Sequence, residues 1–438
     1  MQAGKYICFL AFLCGLGSAL YLSTPYGHIA MFDFASFILG PLLYCKYYNK
    51  FTRAENRVLG MALLWLFGAI CSNMWRNELF NVALKGNAIV FNVWCMMVVG
   101  IWLLKKDYRT WMWFVVGNGI SNVISLYHFE NGALLSFAYQ AGFMGQGGLQ
   151  KYLIEKQVYP LYFKALIYSI LFPLSALHVI PWIAVISILI FSAFFLLIHG
   201  GSRSTFGVNL LSSVFFVGYA YFRRRTKVVV KNFALLIVSG VVVSTIIFSI
   251  YKDLALQGKL GEGEYEKYYA QMVESELGLL GSRDDIIRAW PFLRKHPIVG
   301  AGSSAYDRWG YMSDSYLLPG HSALVGAWVQ NGILGLVFWI YVLYLIMSFV
   351  QKRVMFLDTL APFLVMKSTT MVFAILFSPF GGYRGEVSLL IALCVVAQDD
   401  KWLRQASTSL INPKRAWQRR QIMRKGSSTR GTILDRNP

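Results

Sequence analysis

Two arginines and a histidine stand at turns and helix starts where they can hold an anion and move a proton. The first lies in Gly200-Gly201-Ser202-Arg203-Ser204, between two apolar runs and just before a helix predicted to begin near Thr205. Ser202 or Ser204 can cap that helix, whose free N–H groups and dipole make an anion site. Arg203 adds a planar fork of two donors that matches a phosphate. The same residues also suit an interfacial arginine that orders a turn beside lipid headgroups. The second arginine lies in Ser282-Arg283-Asp284-Asp285. Ser282 reads as an N-cap and Asp285 takes the capping-box position, with two acids at the positive end of the helix. Ile286, Ile287, Trp290 and Leu293 supply its apolar side, and Pro291 should kink or shorten it. Arg283 can face solvent or reach across the membrane surface toward Arg203. Arg288, Arg294 and Lys295 follow as more exposed candidates. The histidine is His321, in Gly320-His321-Ser322 ahead of an apolar segment too short to span a bilayer. It can take a proton near neutral pH or contact a phosphate, although a lone histidine is also often structural. Between the two, His296-Pro297-Ile298-Val299-Gly300-Ala301-Gly302 closes the Arg283 helix, with glycines that permit tight or positive-φ backbone.

The elements that must place these residues are membrane helices. The chain has 438 residues, 56% hydrophobic and only 14% charged, with mean hydropathy +0.51. A soluble domain carries roughly a quarter of its residues as charges. Apolar runs near the ~20 residues that cross a hydrocarbon core recur along the sequence, which makes an all-α polytopic membrane protein the expected fold class. About twelve spans are expected, near 6–22, 27–45, 58–74, 88–104, 111–127, 161–177, 181–198, 205–221, 232–250, 331–350, 356–377 and 385–398. No cleavable signal is evident at the start. Asn331-Gly332-Ile333-Leu334-Gly335-Leu336 follows the short apolar segment after His321, a pattern expected of a helix dipping in from one face.

Charge assigns the faces. Basic connectors at Lys46–Arg57, Lys105–Arg109, Arg223–Lys231 and Lys352-Arg353, with a basic tail from Lys401, are expected to be cytoplasmic, as are both termini. The connectors 75–87, 128–160, 199–204, 251–330 and 378–384 then face outward. Segment 251–320 holds ten acids and eight bases, so the net charge of +20 belongs to the rest of the chain. That distribution fits anionic headgroups, and no nucleic-acid module is present. The tail 401–438 reads as a disordered cytoplasmic extension. The organisation expected is 1–198 N-terminal helices, 199–400 a core with the outer loop 251–330, and 401–438 the tail. Asp33, Lys164 and Arg384 fall near outer span ends and can snorkel to the same face, while Lys367 lies nearer mid-span with no partner identifiable. The six cysteines all lie in or at apolar spans, so no disulfide framework is implied. No Cys/His cluster has metal-ligand spacing, and no metal or cofactor is implied.

In order, the chain reads Ser-Arg at an outer helix start, a basic turn, one span, then a large outer loop with Arg, His-Pro-x-x-Gly-x-Gly and His-x-x-Leu before Gly-Ile-x-Gly-Leu. This resembles the bacterial O-antigen ligase/polymerase superfamily of membrane glycosyltransferases, closely over about 195–350. Where the resembled pattern has Asn after the loop histidine, this chain has Ser322. The resemblance implies a C-type glycosyltransferase fold with a large helical periplasmic loop, in the bacterial inner membrane. It implies an undecaprenyl-diphosphate-linked oligosaccharide as donor. The acceptor would be a sugar hydroxyl on another lipid-linked repeat unit (polymerase) or on lipid A-core (ligase), with polymerase preferred. By position, Arg203 and Arg283 would hold the diphosphate and His321 would orient or deprotonate the acceptor or assist phosphate binding. Ser202, Ser204, Arg288 and Arg384 would contact substrate. Membrane lipids, a flippase and a chain-length regulator are the implied partners. The runner-up of another class, a twelve-span transporter, predicts internal repeats and paired broken helices, and the sequence shows no such repeat.

Overall fold

The computed structural model describes residues 2–18, 21–24, 27–130, 253–254, 256–259, 293–294, 296–303, 322–354, 364–365, 367–368, 371–372, 375–376 and 384–410. Among them, α1 (Gln2–Leu16) leads to a hairpin of β1 (Tyr21–Thr24) and β2 (Gly27–Ala30). Helices α2 (Met31–Tyr47), α3 (Arg53–Trp75), α4 (Phe80–Lys106) and α5 (Thr110–Glu130) follow, and later α6 (Ala323–Lys352), α7 (Arg384–Val396) and α8 (Asp400–Leu410). Three of these, α3, α4 and α6, are long and apolar enough to cross a membrane. The protein is a helical membrane protein. The spans expected between 161 and 250 lie outside the described residues.

The helices approach one another through small residues, as expected where no hydrophobic drive separates protein from lipid. A Cβ on Gly15 of α1 would lie 2.0 Å from the Phe114 carbonyl oxygen of α5, and one on Gly40 of α2 would lie 2.7 Å from Cys95 Cα of α4. Gly68 of α3 sits against α6, and Gly100 of α4 against Leu389 of α7. The core between them is aromatic: Trp65 stacks on Phe338 at 4.7 Å between ring centroids and meets Trp339 edge-on.

One end of the bundle is tied by charge. Thr52 caps α3 in a full capping box, accepting from the Glu55 N–H at 3.3 Å while its own N–H donates to the Glu55 carboxylate at 2.7 Å. That buried carboxylate also pairs with Lys105 at 2.7 Å, joining the start of α3 to the end of α4. Asp107 grips Arg109 through both carboxylate oxygens. The Asp107 hydrogen bonds hold the Arg109 guanidinium above its ordinary range, so it is charged at every working pH.

Three expectations are corrected. The chain is not entirely helical: α1 stops at Leu16, short of residue 22, and an antiparallel ribbon pairs Tyr21 with Ala30 and Thr24 with Gly27. The end of α1 turns through Gly17 and Ser18, the Ser18 hydroxyl donating back to the Gly15 carbonyl at 2.5 Å. Asp33 does not snorkel; it is buried in the first turn of α2, where the dipole favours an acid. The tail's first residues are ordered: in α8, Trp402, Leu403 and Ala406 are buried, and the Trp402 indole donates to the Leu104 carbonyl at 2.9 Å. Asp400 pairs with Arg353 as well. Trp402, Leu403, Ala406 and Leu410 recur at the spacing of an amphipathic helix, a signal the basic, Gly/Ser-punctuated run that follows them outweighed.

Candidate functional site

The far end of α3, expected to face outward, meets the residues of the His-Pro-x-x-Gly-x-Gly motif. Helix α6 is broken at Gly332, whose φ of 69° and ψ of −161° only glycine adopts easily. A break inside a membrane helix strands backbone groups that lipid cannot satisfy, at several kcal/mol each. Here the motif satisfies them. The Ala301 N–H donates to the Val329 carbonyl at 2.6 Å and the Gly302 N–H to that of Gln330 at 3.1 Å. In return the Ile333 N–H donates to the Ile298 carbonyl at 3.0 Å. Backbone runs so close to backbone that a Cβ on Gly332 would fall 2.0 Å from the Ile298 oxygen, and one on Gly300 2.6 Å from the Gly332 nitrogen. Gly300 and Gly302 take φ of 83° and 84°. The glycines foreseen as tight backbone are therefore a plug for a broken helix.

Around this plug is a polar cluster that sequence reasoning missed. The Ser72 hydroxyl, on α3, donates to the Gln330 carbonyl at 2.6 Å and accepts from the Gly302 N–H at 2.9 Å. The Asn73 carbonyl oxygen accepts from the Ser303 N–H at 2.8 Å, while its amide donates to Asn87 of α4 at 2.9 Å. Asn331 is buried and accepts from the Trp65 indole at 2.8 Å. The available signal was a Ser-Asn pair closing an apolar span, which alone reads as a span end.

The motif also holds the outer half of α6. Leu293, at the end of the Arg283 segment, packs with Ala301 and Val329, and the Trp328 indole donates to the Pro297 carbonyl at 2.9 Å. That half-helix begins at Ser322, directly after His321. Ser322 is its N-cap, accepting from the Val325 N–H at 3.3 Å, and its hydroxyl lies 3.5 Å from the Ile375 carbonyl. Ser and Asn are near-equal N-caps, so the departure at 322 preserves the local structure.

Arg203, Ser202, Ser204, Arg283, Arg288 and His321 lie outside the described residues. Arg384 begins α7. Arg294 is exposed, as expected. Lys367 finds a partner that the sequence did not disclose: it is 5% exposed and its ammonium lies 3.2 Å from the Glu386 carboxylate in the first turn of α7. Among the described residues no group of three His, Cys, Asp or Glu is arranged to hold a metal ion.

Residues 187–340 match a family model described as O-antigen ligase. The matched stretch contains the plug, the break at Gly332 and the outer half of α6, and it excludes α1 to α5. No match to a curated protein was found.

Proposed function

From the O-antigen ligase/polymerase superfamily, to which residues 187–340 assign the chain, we propose that this protein is a membrane glycosyltransferase acting on an undecaprenyl-diphosphate-linked oligosaccharide. The single observation that carries the reading is that match, because it spans Arg203, Arg283 and His321 together with the geometry at Gly332. Its reaction is polymerisation of lipid-linked repeat units on the periplasmic face. The attacking sugar hydroxyl forms a bond to C1 of the donor glycan as the bond from C1 to the diphosphate oxygen breaks. The hydroxyl proton passes to His321, and the lipid diphosphate leaves with the electron pair. Arg203 and Arg283 stabilise its developing charge through paired donors, with Ser202, Ser204, Arg288 and Arg384 lining the substrate path. A diphosphate is already a good leaving group, so a metal is not obligatory. Single displacement inverts configuration at C1.

The description of the matched model favours a second reading, transfer of the same glycan to lipid A-core. Reconstitution with synthetic undecaprenyl-diphosphate repeat units separates the two. Glycan ladders formed by wild type alone establish the polymerase, and transfer only after lipid A-core is added establishes the ligase. Arg283→Ala is expected to lower turnover by about 10²–10³ and His321→Ala by about 10²–10⁴, with both proteins folded. No transfer to either acceptor returns the transporter reading, for a flux assay to settle.

A further inference from the structure

Ser72 and Asn73 lie on α3, outside the stretch that matches the family model, yet their side chains hold the segment that plugs the α6 break. Ser72 is fully buried and Asn73 nearly so. Every polar atom of the two side chains that is bonded here serves the joint or its anchor: Gly302 and Gln330 for Ser72, Ser303 and Asn87 for Asn73. Gly302 and Ser303 cannot drift far, because a Cβ on Gly302 would fall 2.3 Å from the Glu78 carboxylate and one on Gly86 1.9 Å from the Ser303 hydroxyl. The joint is thus seated in a socket built by α3, α4 and the turn between them.

That socket does more than shield backbone. The outer half of α6 leaves the break at Gly332 and ends at the Ser322 cap, so its direction is set by how the plug sits between Val329 and Ile333. The first residue beyond the cap is His321. The same plug carries Pro297, bonded by the Trp328 indole, and through Ala301 packs with Leu293 just before it. One small polar socket on an N-terminal helix therefore holds the 297–303 segment and, through it, the half-helix that begins directly after His321.

We infer that Ser72 and Asn73 are positioning residues for glycosyl transfer, holding the 297–303 segment across the α6 break so that the half-helix behind His321 is aligned. The inference rests on the proposed glycosyltransferase reading. Misalignment of groups that still bind their ligands separately lowers turnover and spares affinity, and a displacement near 1 Å can lower a rate about 10²-fold.

The test uses the full-length protein in lipid nanodiscs, comparing wild type, Ser72→Ala/Asn73→Ala and Ser72→Thr, the last keeping the hydroxyl. Amide hydrogen exchange is followed in peptides covering 298–303 and 330–335, binding with undecaprenyl diphosphate as probe, and transfer with the synthetic lipid-linked repeat plus acceptor. The double variant should exchange faster in those peptides alone, bind the probe within about twofold of wild type, and transfer at least about tenfold more slowly. Ser72→Thr should stay near wild type in all three. Unchanged exchange in the double variant, or a loosened joint with full transfer rate, overturns the positioning role while the wild-type activity stands. A wild type that transfers nothing to either acceptor removes the glycosyltransferase reading, and the positioning role falls with it.

Discussion

At the scale of single residues, backbone geometry and buried charge decide what the chain tolerates. Gly332→Ala must place a Cβ on a φ of 69° and within 2.0 Å of the Ile298 oxygen. Strain and overpacking together should lower stability by roughly 3–5 kcal/mol, read as a lower unfolding temperature in detergent. Gly60, with nothing near its Cβ position, is the control, and Gly60→Ala should be tolerated. The Lys367–Glu386 pair follows a different logic. Removing either partner leaves a charge buried in the bundle, so Lys367→Met or Glu386→Leu alone should destabilise by roughly 3–5 kcal/mol. The double substitution should recover most of that loss, and a denaturation series on the three variants checks it. Recovery would mark the pair as structural; a stable double variant without transfer would place it in the chemistry.

At the scale of elements, α8 tests whether the tail is part of the fold. Its Trp402 is buried and bonded to the last turn of α4, whose neighbouring Lys105 holds Glu55 at the start of α3. Trp402→Ala removes the ring and the bond, and should destabilise by about 3–5 kcal/mol, the range for a large buried aromatic. Ending the chain at residue 410 should leave thermal stability near that of the full protein, because it keeps Trp402, Leu403 and Ala406, the tail residues buried among those described. A large loss on truncation at 410 would contradict this. The α3–α6 contact is the second element-scale feature. Gly68, Trp65 and Ser72 face Leu334, Phe338 and Gln330 along antiparallel helices, so α3 braces both halves of the broken α6.

At the scale of the whole molecule, sidedness is the property to measure. Basic residues gather at the start of α3 and the end of α4, and the plug lies at their other ends. In a chain whose six native cysteines are replaced, Lys259→Cys should react with an impermeant thiol reagent added outside the cell membrane that holds the protein, and Lys106→Cys only after permeabilisation. Both residues are exposed, so reagent access is not limited by packing. The reverse pattern would put the large loop in the cytoplasm, away from any lipid-linked glycan on the periplasmic face.

The sequence by itself determined that α2 to α6 are helices and which residue types are available for chemistry. Long apolar runs can satisfy their backbone in lipid only as helices, so the positions of α2 to α6 were legible to within a turn or two at most ends. The order of Arg203, Arg283 and His321 and the glycines at 300 and 302 were equally visible. The tertiary structure decided the pairings, because a contact between residues far apart in the chain leaves no local pattern. Ser72 meets Gln330 and Gly302, Lys367 meets Glu386, and Trp65 meets Asn331 across 266 positions. A glycine announces that backbone is free to bend; only the folded chain shows that at Gly332 it bends to admit Ile298.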